Sequence, residues 1–148
     1  MVNRDFRDLF AALNEAGVKY LVVGAHAVAY YAEPRFTKDL DIWVETSPAS
    51  APGVVAALHA FGAPMAGVSV QDLAAPGVTL QIGVAPNRID IATTIDGLMF
   101  DEAWPHRTAT QYGDQAIWLI GRADLITNKR AAGRPQDLLD LAVLARHE

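Results

Sequence analysis

Cysteine is absent from the 148 residues of this chain. That excludes disulfides and thiolate metal sites, so any metal here must be held by oxygen or imidazole. No apolar run approaches the ~20 residues that cross a bilayer as a helix, so no membrane partner is expected. Met1-Val2-Asn3-Arg4-Asp5 leads directly into an amphipathic pattern, with no sign of a secretory leader. A cytoplasmic location is the expectation that follows. An excess of positive charge is lacking as well: 12 Lys and Arg face 17 Asp and Glu, a formal net charge of −5. This argues against broad, nonspecific nucleic-acid binding but leaves room for a local basic patch. Arg122, Lys129, Arg130 and Arg134 gather late in the chain. Internal repeats, linkers and low-complexity segments are also missing.

What is present suits one globular domain over residues 1–148. The composition is 51% hydrophobic and 20% charged, and the length suffices to bury a real core. Phe6, Leu9, Phe10, Leu13 and Ala16 follow helical spacing, which predicts a helix over about 4–16, stopped by Gly17. Tyr20-Leu21-Val22-Val23 reads as a central strand buried on both faces. Gly24 ends it, and residues 25–32 read as a second helix, closed by Pro34. Arg35-Phe36-Thr37-Lys38 is a loop into the strand Asp39–Glu45. Ser47-Pro48 predicts the cap and first turn of a third helix, ended by Gly62.

Residues 62–77 are rich in Gly, Ala and Pro, with a short helical turn at Gln71-Asp72-Leu73. Val78, Leu80, Ile82 and Val84 alternate as a strand. Ala85-Pro86-Asn87 is a turn, and Arg88–Thr93 is the returning strand of a hairpin. Phe100 to Trp104 forms one or two helical turns. Tyr112-Gly113-Asp114 is a turn into the strand 116–120, and two helices, about 122–131 and 135–146, finish the chain. The expected class is α/β (or α+β) with a mixed sheet.

Three local features carry chemistry. A glycine between strand and helix lets a ligand approach the backbone at Gly24, and the helix N-terminus suits a phosphate. A tight packing turn is the commoner reason for a glycine there. Asp39 and Asp41 stand two residues apart on a strand, on one face, with Cα atoms ~6.6 Å apart. Two such acids repel, and a divalent cation relieves them; hard oxygen donors favour Mg²⁺ or Mn²⁺ over zinc. Trp43 and Glu45 share that face, and Trp43 could wall the site or stack a base. Asp90, between Ile89 and Ile91, points away from two core residues. It completes a three-carboxylate site if its strand lies beside the acidic one. For each acid the plainer reading is a solvated strand face.

Val23-Gly24-Ala25, thirteen further residues, then Asp39-Leu40-Asp41-Ile42, with Ile89-Asp90-Ile91 later, resembles the signature of the polymerase-beta-like nucleotidyltransferase superfamily. Gly24-Ala25-His26-Ala27-Val28 with Pro34-Arg35-Phe36-Thr37-Lys38-Asp39-Leu40-Asp41 looks more narrowly like the minimal bacterial members grouped with AbiEii-type toxins. The late segment Asp124–Lys129, then Gly133-Arg134-Pro135-Gln136-Asp137 and Asp140-Leu141, is similar to the same group, so the resemblance covers most of the chain. Ala25 departs from the Gly or Ser of the broad signature: it keeps the N–H but lacks a hydroxyl.

The resemblance implies a nucleotidyltransferase-like mixed sheet flanked by helices. It implies transfer of a nucleoside monophosphate from an NTP to an RNA or protein acceptor, with pyrophosphate released. Asp39, Asp41 and Asp90 would bind Mg²⁺ or Mn²⁺, and Asp90 would help deprotonate the attacking hydroxyl. The backbone of Gly24 and Ala25 would cradle phosphate, and Lys129 would touch it. Arg35 and Lys38 either offset the acids, touch phosphate, or belong to a surface loop. Thr37 either bonds phosphate or caps its turn. Arg134 serves phosphate or acceptor, or pairs with Asp137. His26 is a phosphate contact or a packed histidine. Asp137 and Asp140 fit a helix start and a helix face, with no chemistry assigned. The resemblance adds an antitoxin partner protein; the short chain leaves little room for a separate acceptor-binding domain, so a partner chain or a homodimer is expected to complete the acceptor site. The alternative is a binding or regulatory module that keeps the fold and has lost turnover.

Overall fold

Asn3 starts the first helix: its side-chain oxygen accepts the N–H groups of Asp5 and Phe6, which are otherwise unpaired at a helix start. The helix, α1 (Arg4–Glu15), buries Phe6, Leu9, Phe10 and Leu13 as one stripe. Each of those side chains contributes roughly 1.5–3 kcal/mol by leaving water. The computed structural model describes residues 2–64, 67–83 and 87–147. The turn expected at Ala85-Pro86-Asn87, and Val84 before it, fall mostly outside these residues.

The apolar run becomes β1 (Tyr20–Val23), buried along its whole length. Then come α2 (Gly24–Tyr31), β2 (Leu40–Val44), α3 (Ala51–Phe61) and the single turn α4 (Val70–Leu73). The hairpin strands are β3 (Thr79–Ile82) and β4 (Ile89–Ala92). They are followed by α5 (Phe100–Ala103), a 3-10 turn (Trp104–His106), β5 (Thr108–Tyr112) and β6 (Gln115–Leu119). The chain closes with α6 (Arg122–Ala132) and α7 (Pro135–Ala145). The described residues form an α+β fold in one domain: seven α-helices flank a six-stranded mixed sheet, in the order β3-β4-β2-β1-β6-β5. Among the described residues no helix is long and apolar enough to cross a membrane.

Two expectations are corrected here. The third helix begins at Ala51, not at Ser47-Pro48. The Ser47 hydroxyl instead accepts the Ser50 N–H and closes a separate turn, and Pro52 takes the proline-tolerant first turn of α3. The strand β5 is not expected from the sequence at all. It is an edge strand with only half-buried and exposed positions, so it carries no apolar alternation to announce it.

The sheet order decides where the acids go. Strand β2 lies between β1, to which it is antiparallel, and β4, to which it is parallel. Leu40, Ile42 and Val44 are buried, as their spacing predicts. Trp43, on the acidic face, is buried too: its ring packs edge-on against Phe100, and its Nε1–H points to the Thr93 carbonyl at 3.4 Å. It is a core residue and offers no face for a base to stack on.

Candidate functional site

In the parallel pairing of β2 with β4, Asp41 stands directly opposite Asp90. Register partners on one sheet face bring their side chains together, so the two carboxylates are neighbours. Both open into a cleft of about 450 Å³ whose wall also includes Gly24, Arg88, Lys129 and Arg134. Burial, reinforced by the charges of Asp90 and Asp39, pushes the Asp41 carboxyl up to about 6. Lys129 and Arg88 pull in the opposite direction and do not cancel that rise. Burial is thus the main reason Asp41 resists ionising, and the neighbouring acids add to it.

Gly24 explains how the carboxylate fits. Its φ is +68°, and a Cβ there would collide with the Asp41 carboxylate. The residue thus serves two demands that only glycine meets together: a left-handed backbone and room for the acid. Helix α2 starts at this residue with no side chain capping it. The N–H groups of its first turn, Ala25 included, are left for another partner.

Arg88 was not singled out by the sequence. Its Nη2 lies 3.2 Å from Asp39 Oδ2 and 3.5 Å from Asp90 Oδ2, bridging the first and third acids. The signal was there in the spacing, since Arg88 precedes Asp90 by two and so shares its strand face. Asp39 lies just before β2 and is 41% exposed. Among the described residues no three carboxylate or imidazole groups stand close enough together to hold one ion. The donor chemistry nevertheless suits a hard divalent cation: hard oxygens, mutual repulsion and a backbone with no Cβ in the way.

Lys129 and Arg134 meet at the far wall, and here too the structure adds residues. Lys129 is buried, with its Nζ 3.2 Å from Asp137 Oδ1 and 3.0 Å from Asp140 Oδ2. Asp137 and Asp140 are the buried partners of this cation. Arg134 Nε donates to Asp137 Oδ2 at 2.7 Å. The Arg134 and Lys129 hydrogen bonds hold the Asp137 carboxyl down at about 2. Lys129 is thus neither a solvated helix residue nor a free cation, and the late basic cluster is partly neutralised inside the fold.

The remaining expected residues lie elsewhere. His26 shares a 2.8 Å hydrogen bond with the Thr37 hydroxyl, and its ring packs against Phe6. Burial pulls its pKa down, which favours the neutral ring. His26, Arg35 and Thr37 line a separate groove with Phe6, Phe36 and Tyr112. Arg35 Nη2 is 3.3 Å from Asp140 Oδ1, so this loop is pinned to α7 rather than turned into the acidic cleft. Lys38 is exposed and makes no ion pair among the described residues. The structure brings Gly24, Asp41, Asp90, Lys129 and Arg134 to one cleft; Asp39 reaches it through Arg88.

No family model matches this chain, and no curated protein matches it. The functional reading therefore stands on the cleft itself.

Proposed function

We propose that this protein is a metal-dependent nucleotidyltransferase, moving a nucleoside monophosphate from an NTP to a hydroxyl of an RNA or protein acceptor. The observation that carries the reading is the register pairing of Asp41 with Asp90 beneath Gly24. Two carboxylates forced together beside an uncapped helix start suit an anionic substrate that arrives with a divalent cation. Asp41 and Asp90 would hold Mg²⁺ or Mn²⁺, with Asp39 joining them. The chemistry such an ion supplies is charge neutralisation on the triphosphate and on the leaving pyrophosphate.

The chain's own groups do the rest. The first-turn N–H groups of α2 point phosphate oxygens into the cleft. Arg134, 74% exposed on the far wall, meets the outer phosphates. Lys129, fixed by Asp137 and Asp140, contributes a positive field near Asp41 rather than a mobile contact. Asp90 takes the proton of the acceptor hydroxyl as its oxygen bonds to the α-phosphorus. The bond from that phosphorus to the bridging oxygen breaks, and pyrophosphate leaves. The resemblance to AbiEii-type proteins extends the proposal to a toxin–antitoxin or phage-defence role, with an antitoxin as partner.

The test is incubation of the protein with each α-labelled NTP, Mg²⁺ or Mn²⁺, total RNA and lysate protein. Label is expected in one acceptor fraction and absent with Asp90→Asn. Undiminished label with Asp90→Asn would show that Asp90 is not the third acid. A second reading, a nucleotide-binding module without turnover, is favoured by one observation: Arg88 draws on two of the three acids. Nucleotide binding without label in either fraction would support it.

A further inference from the structure

We propose that Arg88 is a resident competitor for the divalent cation, a guanidinium that covers Asp39 and Asp90 and leaves when a metal ion enters. The inference rests on reading the acidic cleft as a metal centre, and it concerns how that centre is kept and loaded. A cluster of repelling carboxylates needs a cation in the folded, metal-free protein. Lys129 is held by Asp137 and Asp140, and Lys38 makes no ion pair among the described residues. Among the described residues, Arg88 is the cation in ion-pair contact with Asp39 and Asp90.

How it touches them matters more. The strongest arginine–carboxylate pairs are commonly forks, with two donors on two oxygens. This chain builds such forks elsewhere. Arg7 reaches Asp114 through Nε at 2.8 Å and Nη2 at 2.7 Å, and Arg134 reaches Asp137 through Nε at 2.7 Å and Nη2 at 3.3 Å. Arg88 has no fork. Its shortest approach to Asp39 and to Asp90 is from the same nitrogen, Nη2, and neither contact has hydrogen-bond geometry. Its Nε is buried and finds no hydrogen-bond partner among the described residues. The guanidinium is thus held by charge without a fork; the unpartnered Nε alone does not mark it, since Arg107 and Arg122 share that feature. A divalent ion brings twice the charge to the same oxygens, and departure lets Nε reach water.

Two consequences follow. The metal alone binds more weakly than the bare acids would allow. Once displaced, Arg88 remains at the cleft wall, where a triphosphate supplies the anion it has lost, so metal and nucleotide favour each other's binding.

The experiment titrates Mn²⁺ by calorimetry into metal-free wild type, Arg88→Met and Arg88→Lys, with thermal unfolding in EDTA as the folding check. Arg88→Met is expected to bind Mn²⁺ about tenfold more tightly than wild type, with Arg88→Lys between them. In wild type, the ¹⁵N resonance of the Arg88 Nε is expected to shift on saturation with Mg²⁺. Equal or weaker Mn²⁺ binding by Arg88→Met overturns the competitor role and leaves the metal centre standing. Absence of binding heat in all three proteins overturns both. If Arg88→Met does not fold, the other two measurements decide. An unmoved Nε resonance, with Arg88→Lys binding no tighter than wild type, overturns the role.

Discussion

Asp41 and Asp90 are register partners on adjacent parallel strands, and they share one cleft. For Asp41, burial raises the cost of ionising, and the neighbouring charges of Asp90 and Asp39 add to it. In the metal-free protein the pair therefore lowers stability.

The first prediction follows from that cost. In EDTA, Asp41→Asn should be more stable than wild type, by about 1 kcal/mol, which raises Tm by roughly 2–4 °C in a chain of this size. With saturating Mg²⁺ and nucleotide the order should reverse, because only the wild type gains the stabilisation of a bound ligand. Thermal unfolding in the two conditions checks both signs.

Gly24→Ala should be costly at a position exposed to the cleft. The left-handed backbone and the collision with Asp41 together should lower stability by about 2 kcal/mol or more. In an Asp41→Ala background the clash with the carboxylate is gone while the tight 3.1 Å approach to the residue-41 Cβ stays, so a smaller loss, somewhat above about 1 kcal/mol, should remain. A double-mutant cycle in urea measures the difference.

Asp137 should set part of the acid limit. Its folded carboxyl titrates at about 2, below the ordinary value of 3.8, because Arg134 and Lys129 favour the charged form. The unfolded chain therefore binds the proton first. The contribution is fully present above about pH 4 and lost as pH falls through about 2, and amounts to about 2 kcal/mol. Asp137→Asn should cost about 3 kcal/mol at pH 7, since it strips a partner from buried Lys129. The gap to wild type should narrow as pH falls below 4, which urea unfolding across pH 2.5–7 would show.

Trp43→Phe separates a core role from a ligand role. The smaller ring keeps the apolar contact with Phe100 and loses the donor to Thr93. A loss of stability of about 1–2 kcal/mol is expected. Nucleotide affinity should change by less than about threefold, as measured by calorimetry well below the unfolding temperature.

The acids were legible because their cause is local. Alternation placed Asp39, Asp41 and Asp90 on strand faces opposite buried Leu40, Ile42, Ile89 and Ile91, and the apolar β1 announced the centre of the sheet. What the order of residues does not reveal is which strands become neighbours, so the meeting of Asp41 with Asp90 was a condition rather than a conclusion. Edge strand β5 gives no signal in the sequence because Thr108-Ala109-Thr110-Gln111-Tyr112 buries too little to alternate. The burial of Asp137 and Asp140 depends on Lys129 folding back across the α6–α7 turn, a contact that neither helix face signals alone. Arg35 and Thr37 sit in a motif beside Asp39, but the path of their loop takes them to Asp140 and His26 instead.

Asp41 and Asp90 are proposed to form a metal-dependent nucleotide site. Its most direct measurement is calorimetric titration of ATP, GTP, CTP and UTP, each with Mg²⁺ and with Mn²⁺, into wild type, Asp41→Asn and Asp90→Asn. At least one nucleotide should bind wild type only when a divalent ion is present, and each substitution should abolish that binding while the protein stays folded. No binding of any nucleotide to wild type with either metal, or binding that both substitutions leave intact, would contradict it.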